Sequence, residues 1–304
     1  MRSPRVLLLN SDIIKTMSFK SFSQKSKANL ALLGGGVFFG VSSPLARLMG
    51  TWLHPFSVVF IRFIFALPFA LGFFYKGKSE KFELKRLWLF GLLFPVSVCL
   101  YTFSLFHTKV SLAIFSFYAA NLLSSVVIGA IFNKEKISGN KLISIILATV
   151  AVIIFTKPFE GFSIDTGILL GYLSGITQTV ASLYQKRLSA QTSERALTLV
   201  QVLGGLFVTI IAILAIKDWS IFTISLEGLG LGFIFGFLFF LINYFMIYGF
   251  KHTEIGIGTI LLSSELLFGP LAAYIIFGEI LSTPEIIGGI LIAGAVLFAS
   301  RHKG

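Results

Sequence analysis

Two ionisable residues, Arg62 and Glu265, stand well inside long apolar stretches of this chain. A charge at the centre of a membrane helix costs roughly 2.5–3.5 kcal/mol on insertion scales, so such residues face a partner or a water-filled cavity. Glu265 reads as a substrate contact or as a proton carrier whose protonation answers to which side of the membrane is open. Its alternative is a structural carboxyl bonded to a neighbouring helix. Arg62 reads as a fixed cation for a carboxylate or phosphate, as a partner for Glu265, or as a side chain that snorkels to the interface. Four amides, Asn121, Gln178, Gln201 and Asn243, can each donate and accept, which suits a polar or zwitterionic ligand. Interhelical bonding, at about 0.6 kcal/mol each, is the plainer role for them. Tyr101, Tyr118 and Tyr244 with nearby phenylalanines supply a cavity wall whose faces also bind a cation. No phosphate loop of the GxxxxGK type and no HExxH occurs, and His54, His107, His252 and His302 fall at the ends of apolar stretches or in the tail. Neither enzyme activity, nor a metal, nor a cofactor is expected.

The elements that must hold these residues are helices in a bilayer. With 56% hydrophobic and 12% charged residues, 34 phenylalanines and a mean hydropathy of +0.91, the 304 residues cannot hide their apolar surface in one water-soluble core. Stretches of spanning length run at about 28–47, 56–75, 87–106, 110–132, 140–157, 166–185, 196–216, 228–250, 255–278 and 284–300. Ten spans are therefore predicted, with very short turns at Lys109, at Lys251 to Glu254 and at Glu279 to Pro284. A barrel would alternate apolar and polar residues, whereas Leu229 to Tyr248 is apolar nearly throughout.

The net charge of +12 marks topology rather than nucleic-acid binding. With the N-terminus in the cytoplasm, the inner segments collect the tail (residues 1–27), Lys76, Lys78, Lys81, Lys85, Arg86, Lys134, Lys136, Lys141, Lys186, Arg187, Arg195, Lys251, Arg301 and Lys303. The outer ones hold Arg47, Lys109, Lys157 and Lys217. That asymmetry puts both termini in the cytoplasm and the chain in the cell (inner) membrane as a multi-pass protein, and Trp52, Trp88 and Trp219 fall at span edges. Met17 offers a second start. The lone Cys99 lies within the third span and allows no intrachain disulfide.

Residues 121–154 and 265–298 repeat one pattern at a constant offset of 144: Leu122/Leu266, Leu123/Leu267, Ile131/Ile275, Glu135/Glu279, Ser138/Ser282, Ile146/Ile290, Leu147/Leu291, Ala151/Ala295 and Val152/Val296. His107-Thr108 answers His252-Thr253 one residue out of step. Five spans per half is an odd number, so the second copy enters the bilayer from the opposite side. Asn121 and Glu265 then share mid-depth, where inverted-repeat transporters place their sites. Glu135 and Glu279, at span ends, are assigned to turns or to contacts with facing basic groups. Gly36/Gly40, Gly171/Gly175 and Gly228/Gly232/Gly236 let helices approach closely.

The paired segments ending in Glu135 and Glu279, Pro55 followed by Arg62, and Tyr101 to Thr108 before a short turn resemble the EamA family of the drug/metabolite transporter superfamily over about residues 28–300. The Glu-Pro that family members often show in their ninth span is Glu265-Leu266 here, and the proline expected near Asn121 is missing. Pro270 lies one turn on, which implies a displaced helix break. The resemblance implies an all-α polytopic membrane protein of two inverted five-helix repeats, 28–157 and 158–304. It also implies transport of amino acids or other small metabolites by alternating access without ATP. Proton coupling is a further expectation from Glu265. A flippase for a lipid-linked or amphipathic substrate is the competing reading, and a non-transporting scaffold or receptor a second.

Overall fold

The computed structural model describes residues 23–75, 84–133, 139–156, 165–189, 192–253 and 255–300. The tail up to residue 22, Glu135, Ser138, Lys157 and many of the basic residues assigned to the inside, such as Lys76, Lys134 and Arg301, lie outside them. Among the described residues there is no strand. The helices are α1 (Gln24–Met49), α2 (Pro55–Tyr75), α3 (Leu84–His107), α4 (Val110–Asn133), α5 (Gly139–Thr156), α6 (Thr166–Ser189), α7 (Glu194–Ile216), α8 (Leu226–His252), α9 (Ile255–Leu262), α10 (Glu265–Phe277) and α11 (Thr283–Ser300). A short 3-10 segment, Ser220–Thr223, joins α7 to α8.

Seven helical stretches are long and apolar enough to cross a membrane: Gln24–Met49, Pro55–Tyr75, Leu87–His107, Val110–Ile128, Glu194–Ile216, Leu226–His252 and Ile260–Phe277. Gly139–Ile154 and Thr283–Phe298 are shorter apolar helices. α6 is long but carries Ser174, Thr177, Gln178, Thr179 and Ser182. Thr177 and Gln178 bond within the helix, while Ser174 and Thr179 reach its neighbours. Ser174 Oγ donates to Ser97 O at 2.8 Å and Ser97 Oγ to Ser174 O at 3.0 Å. Ser104 Oγ donates to Gly167 O at 2.6 Å, and Ser124 Oγ bonds Thr179 Oγ1 at 2.7 Å. With little apolar contrast between helix and lipid, such bonds and close packing join helices where the hydrophobic effect cannot.

Glycine marks the closest crossings at most of the predicted positions; Gly228 is the exception, its Cβ position meeting Ile224 and Ser225 of the turn before its own helix. Gly36 and Gly40 of α1 lie against α9 and α10, Gly171 and Gly175 of α6 against α4, and Gly232 and Gly236 of α8 against α2. A Cβ on Gly175 would sit 2.8 Å from Asn121 N, which leaves no room for a side chain. Neighbouring helices also follow a rule. α1 packs on α8, α9 and α10; α3 on α6; α4 on α6; α2 on α7 and α8; α3 on α7; and α5 on α11. These pairings are unchanged when α1 is exchanged with α6, α2 with α7, α3 with α8, α4 with α9 plus α10, and α5 with α11.

The predicted ninth span is two helices, not one. α9 stops at Leu262, Ser263 and Ser264 form a turn, and α10 restarts at Glu265. The expected break at Pro270 is corrected by this: Pro270 lies inside α10, and the interruption at Ser263–Ser264 precedes it by roughly two helical turns, directly before Glu265. The turn is locally satisfied, since Ser263 Oγ donates to Ile260 O at 2.8 Å and Ser264 N to Leu261 O at 3.3 Å. At the far end, Gly278 closes α10 with φ +68°, a left-handed conformation that favours glycine, and turns the chain into Glu279.

One end of the bundle, called here the Asp218 end, gathers the α1–α2, α3–α4, α7–α8 and α10–α11 turns. Asp218 ties two of them: Ser57 Oγ donates to Oδ2 at 2.6 Å and Ser220 N to Oδ1 at 3.0 Å, while His54 Nδ1 lies 3.9 Å away. Partial burial works against the charged form, but the Ser57 and Ser220 bonds and His54 outweigh it and hold the carboxyl below its ordinary value. The folded protein therefore binds this proton less readily than the unfolded chain does. Its contribution is complete above the unfolded aspartate range and is lost as pH falls through the folded value. Thermal melts of the detergent-solubilised protein should thus lose midpoint on acidification, and Asp218→Asn should flatten that slope.

Candidate functional site

Glu265 is the first residue of α10 and only 1% exposed. The break before it lets the side chain turn into the bundle, where three helices reach it. Tyr101 of α3 donates its hydroxyl to Oε1 at 3.1 Å, and Tyr118 of α4 donates to Oε2 at 2.8 Å. Ser43 of α1 bonds the Tyr101 hydroxyl at 3.0 Å. The Tyr118 hydroxyl also lies 3.5 Å from Leu262 O, the last carbonyl of α9. Tyr118 and Leu262 are partners at the 144 offset. Phe39 meets Tyr101 edge-on with centroids 6.2 Å apart, Phe117 lies 5.1 Å from Tyr101, and Tyr118 lies 5.5 Å from Phe117. The result is a carboxyl group within an aromatic wall, with both oxygens met by neutral hydroxyls.

That arrangement can hold or release a proton, and it can exchange a tyrosine hydroxyl for a ligand's hydrogen-bond donor. Among the described residues no basic side chain forms an ion pair with it.

Arg62 corrects two expectations at once. It is 5% exposed, so it does not snorkel, and it makes no ion pair with Glu265. Its guanidinium stacks 4.0 Å over the Phe235 ring and 5.4 Å from Phe239, both on α8, while Nε is buried without a partner. The attraction of a desolvated cation to a ring face, about 2 kcal/mol, offsets part of the burial cost, and among the described residues no carboxylate forms an ion pair with the guanidinium.

The remaining predicted site residues separate. Asn121 is a packing residue in this structure: Nδ2 lies 3.5 Å from Gly175 O, and its carbonyl accepts from Thr179 Oγ1 at 3.1 Å. Gln178 is half-buried and reaches only Ser182 of its own helix, at 3.4 Å. Asn243 is buried and donates to Phe239 O, one turn back, at 2.8 Å. Gln201 is 2% exposed with Oε1 unpartnered. Tyr244 joins an aromatic seam along α2 and α8, 5.3 Å from Phe73 and 6.1 Å from Tyr248, and has no described contact with Glu265. Only Tyr101 and Tyr118 of these residues gather on the carboxylate. Ser43 is a site residue outside the predicted set, and its only signal in the sequence is the Ser42-Ser43 pair of hydroxyls beside Pro44 in an otherwise apolar stretch.

Helices of this length and apolarity, packed around a buried carboxyl group, make this a multi-pass membrane protein. The model of the EamA-like transporter family matches it twice, over residues 26–157 and 165–301, and the chain belongs to that family. The two matches meet at the site, since Ser43, Tyr101 and Tyr118 come from the first and Glu265 from the second. Among curated proteins, an S-adenosylmethionine uptake transporter of Rickettsia felis is 25% identical over 259 residues, covering 84% of this chain and 85% of the relative. An uncharacterized transporter of Archaeoglobus fulgidus is 25% identical over 277 residues, covering 90% and 96%. A solved crystal structure superposes with a TM-score of 0.62 over 88% of this chain and 96% of its own, at 15% identity, which is a likeness of fold alone.

Proposed function

We propose that this protein is a secondary transporter of the cell membrane that moves a small polar metabolite by alternating access, without chemical conversion of it. Ten spans arranged as two inverted five-helix repeats carry the cycle, with α9 and α10 together forming the ninth span. The self-exchanging helix pairings and the 144-residue offset support this reading. The excess of basic residues elsewhere in the sequence assigns the Asp218 end to the outside and both termini to the cytoplasm.

The observation that carries the reading is Glu265. A carboxyl group at a helix interruption, between the two family matches and enclosed by Tyr101, Tyr118 and Ser43, is the kind of half-helix site that transporters use for substrate or coupling ion. Amino acids and related compounds are the substrate class, and S-adenosylmethionine belongs in the test set because a relative is named for its uptake. Reconstituted vesicles should accumulate at least one labelled compound from a panel of amino acids and S-adenosylmethionine, with flux that follows an imposed pH gradient if Glu265 carries the coupling proton. Vesicles that pass none of the panel in either direction would overturn the substrate assignment, and indifference to the gradient would remove the proton.

A further inference from the structure

Every charged contact described at the Asp218 end that joins two segments crosses from one family match to the other. Arg47, in the last turn of α1, pairs closely with Glu279, which follows Gly278 at the end of α10. Glu279 Oε2 also accepts from Val110 N at 3.1 Å, so the same carboxylate holds the start of α4. Lys109, in the α3–α4 turn, reaches Glu285 Oε1 of α11 at 3.1 Å and Ile280 O at 3.4 Å. Glu285 is fixed in turn by Ser282 N at 2.7 Å. The Ser57–Asp218 bond crosses in the same sense. The carboxylates are the enclosed partners, with Glu279 13% and Glu285 7% exposed, against 32% for Arg47 and 43% for Lys109.

We infer that Arg47–Glu279 and Lys109–Glu285 form a two-clasp latch that holds the Asp218 end shut and must part when that end opens. The inference rests on the alternating-access reading, because only halves that rock apart need a latch. Its design is physical. Each clasp joins a basic residue on the 26–157 segment to an acidic one on the 165–301 segment, so separating the halves leaves two carboxylates short of their cations. Glu285 also accepts from Ser282 N of its own segment, which keeps it aimed whether or not its clasp is made, whereas the Val110 N–Glu279 bond crosses between the segments and parts with the Arg47 clasp. Half-exposed lysine and arginine heads can return to water, which makes the clasps reversible and salt-sensitive. At the opposite end, the described crossing contacts include Thr253 Oγ1 donating to Asn29 Oδ1 at 2.9 Å and Arg195 over the Phe73 ring at 5.3 Å, while Lys251–Glu194 stays within one segment.

The test reads conformation rather than flux, so it separates failure of the latch from failure of the transport reading. Spin labels go on Thr51 and Ile280, both exposed and on opposite segments, in a Cys99→Ala background, and pulsed electron resonance measures their separation. Removing the basic partners spares the backbone bonds of both carboxylates. Arg47→Gln with Lys109→Gln should add a population several ångströms longer than that of the parent. Arg47→Lys with Lys109→Arg should keep the short one, and molar salt should lengthen the parent itself. A single short population in the glutamine variant overturns the latch. Should that variant not survive purification, an unchanged distance in the parent at molar salt overturns it equally.

Discussion

Glu265→Gln should remove substrate flux while leaving a folded, inserted protein. The substitution keeps shape, with one tyrosine hydroxyl donating to the amide oxygen and the other turning to accept from the amide NH2, but it removes both the negative charge and the exchangeable proton. A hydrogen bond to a charged group contributes roughly 1.5–3 kcal/mol, so loss of that charge weakens a ligand bound through it by about ten- to a hundredfold. A cycle that also needs the proton would stop. Initial-rate flux in vesicles, normalised to protein whose monodispersity and melting match the parent, is the measurement. Tyr118→Phe should give a milder loss, because it frees one carboxylate oxygen without altering charge. A well-folded Glu265→Gln protein that transports at the parental rate would take Glu265 out of the site and with it the central support for the functional reading.

The second large effect is structural. A Cβ on Gly40 would lie 2.8 Å from Gly269 N and 3.0 Å from Phe268 C, atoms of the α10 backbone that cannot rotate away. Gly40→Ala should therefore destabilise the α1–α10 crossing by about 1–3 kcal/mol, the usual range for overpacking. Gly40→Leu should prevent that crossing altogether. The damage reaches the site, since α1 carries Ser43 one turn beyond Gly40 and α10 begins at Glu265 one turn before Gly269. A change at Gly72, which has open space around its Cβ position, should be silent in the same thermal and size-exclusion measurements. Equal melting of the Gly40→Leu and parent proteins would show that the two helices do not cross this closely.

Much of the helix pattern is legible in the amino-acid order because apolar runs of spanning length leave few other solutions. α2 begins at Pro55, α4 at Val110 after a two-residue turn, and α11 at Thr283, each near its predicted place. The site was legible in part. Glu265, Tyr101 and Tyr118 are conspicuous as polar groups in apolar runs, and they do meet. Asn121, Gln178, Asn243 and Tyr244 are conspicuous for the same reason and do not, because composition records that a polar group is buried and says nothing of which face it occupies. The break before Glu265 was misplaced for a different reason. Proline is the visible helix breaker, but a helix can also end where two serines satisfy the turn themselves, as Ser263 and Ser264 do. Ser43 escaped notice because a serine inside a helix ordinarily bonds its own carbonyls, and Ser43 does that too, with Phe39 O at 3.2 Å, alongside its bond to Tyr101.

The Ser263–Ser264 interruption has no twin. Its counterparts at the 144 offset, Ala119 and Ala120, lie within an unbroken α4. An unbroken helix moves as a lever, carrying any displacement along its whole length, whereas a two-residue interruption lets one arm swing while the other stays put. In a cycle built on these two segments, exposing one side bends a joint and exposing the other tilts a rod. Under the proposed alternating access, the two half-cycles would then differ in barrier and in duration, and the slower of them would set the rate of turnover.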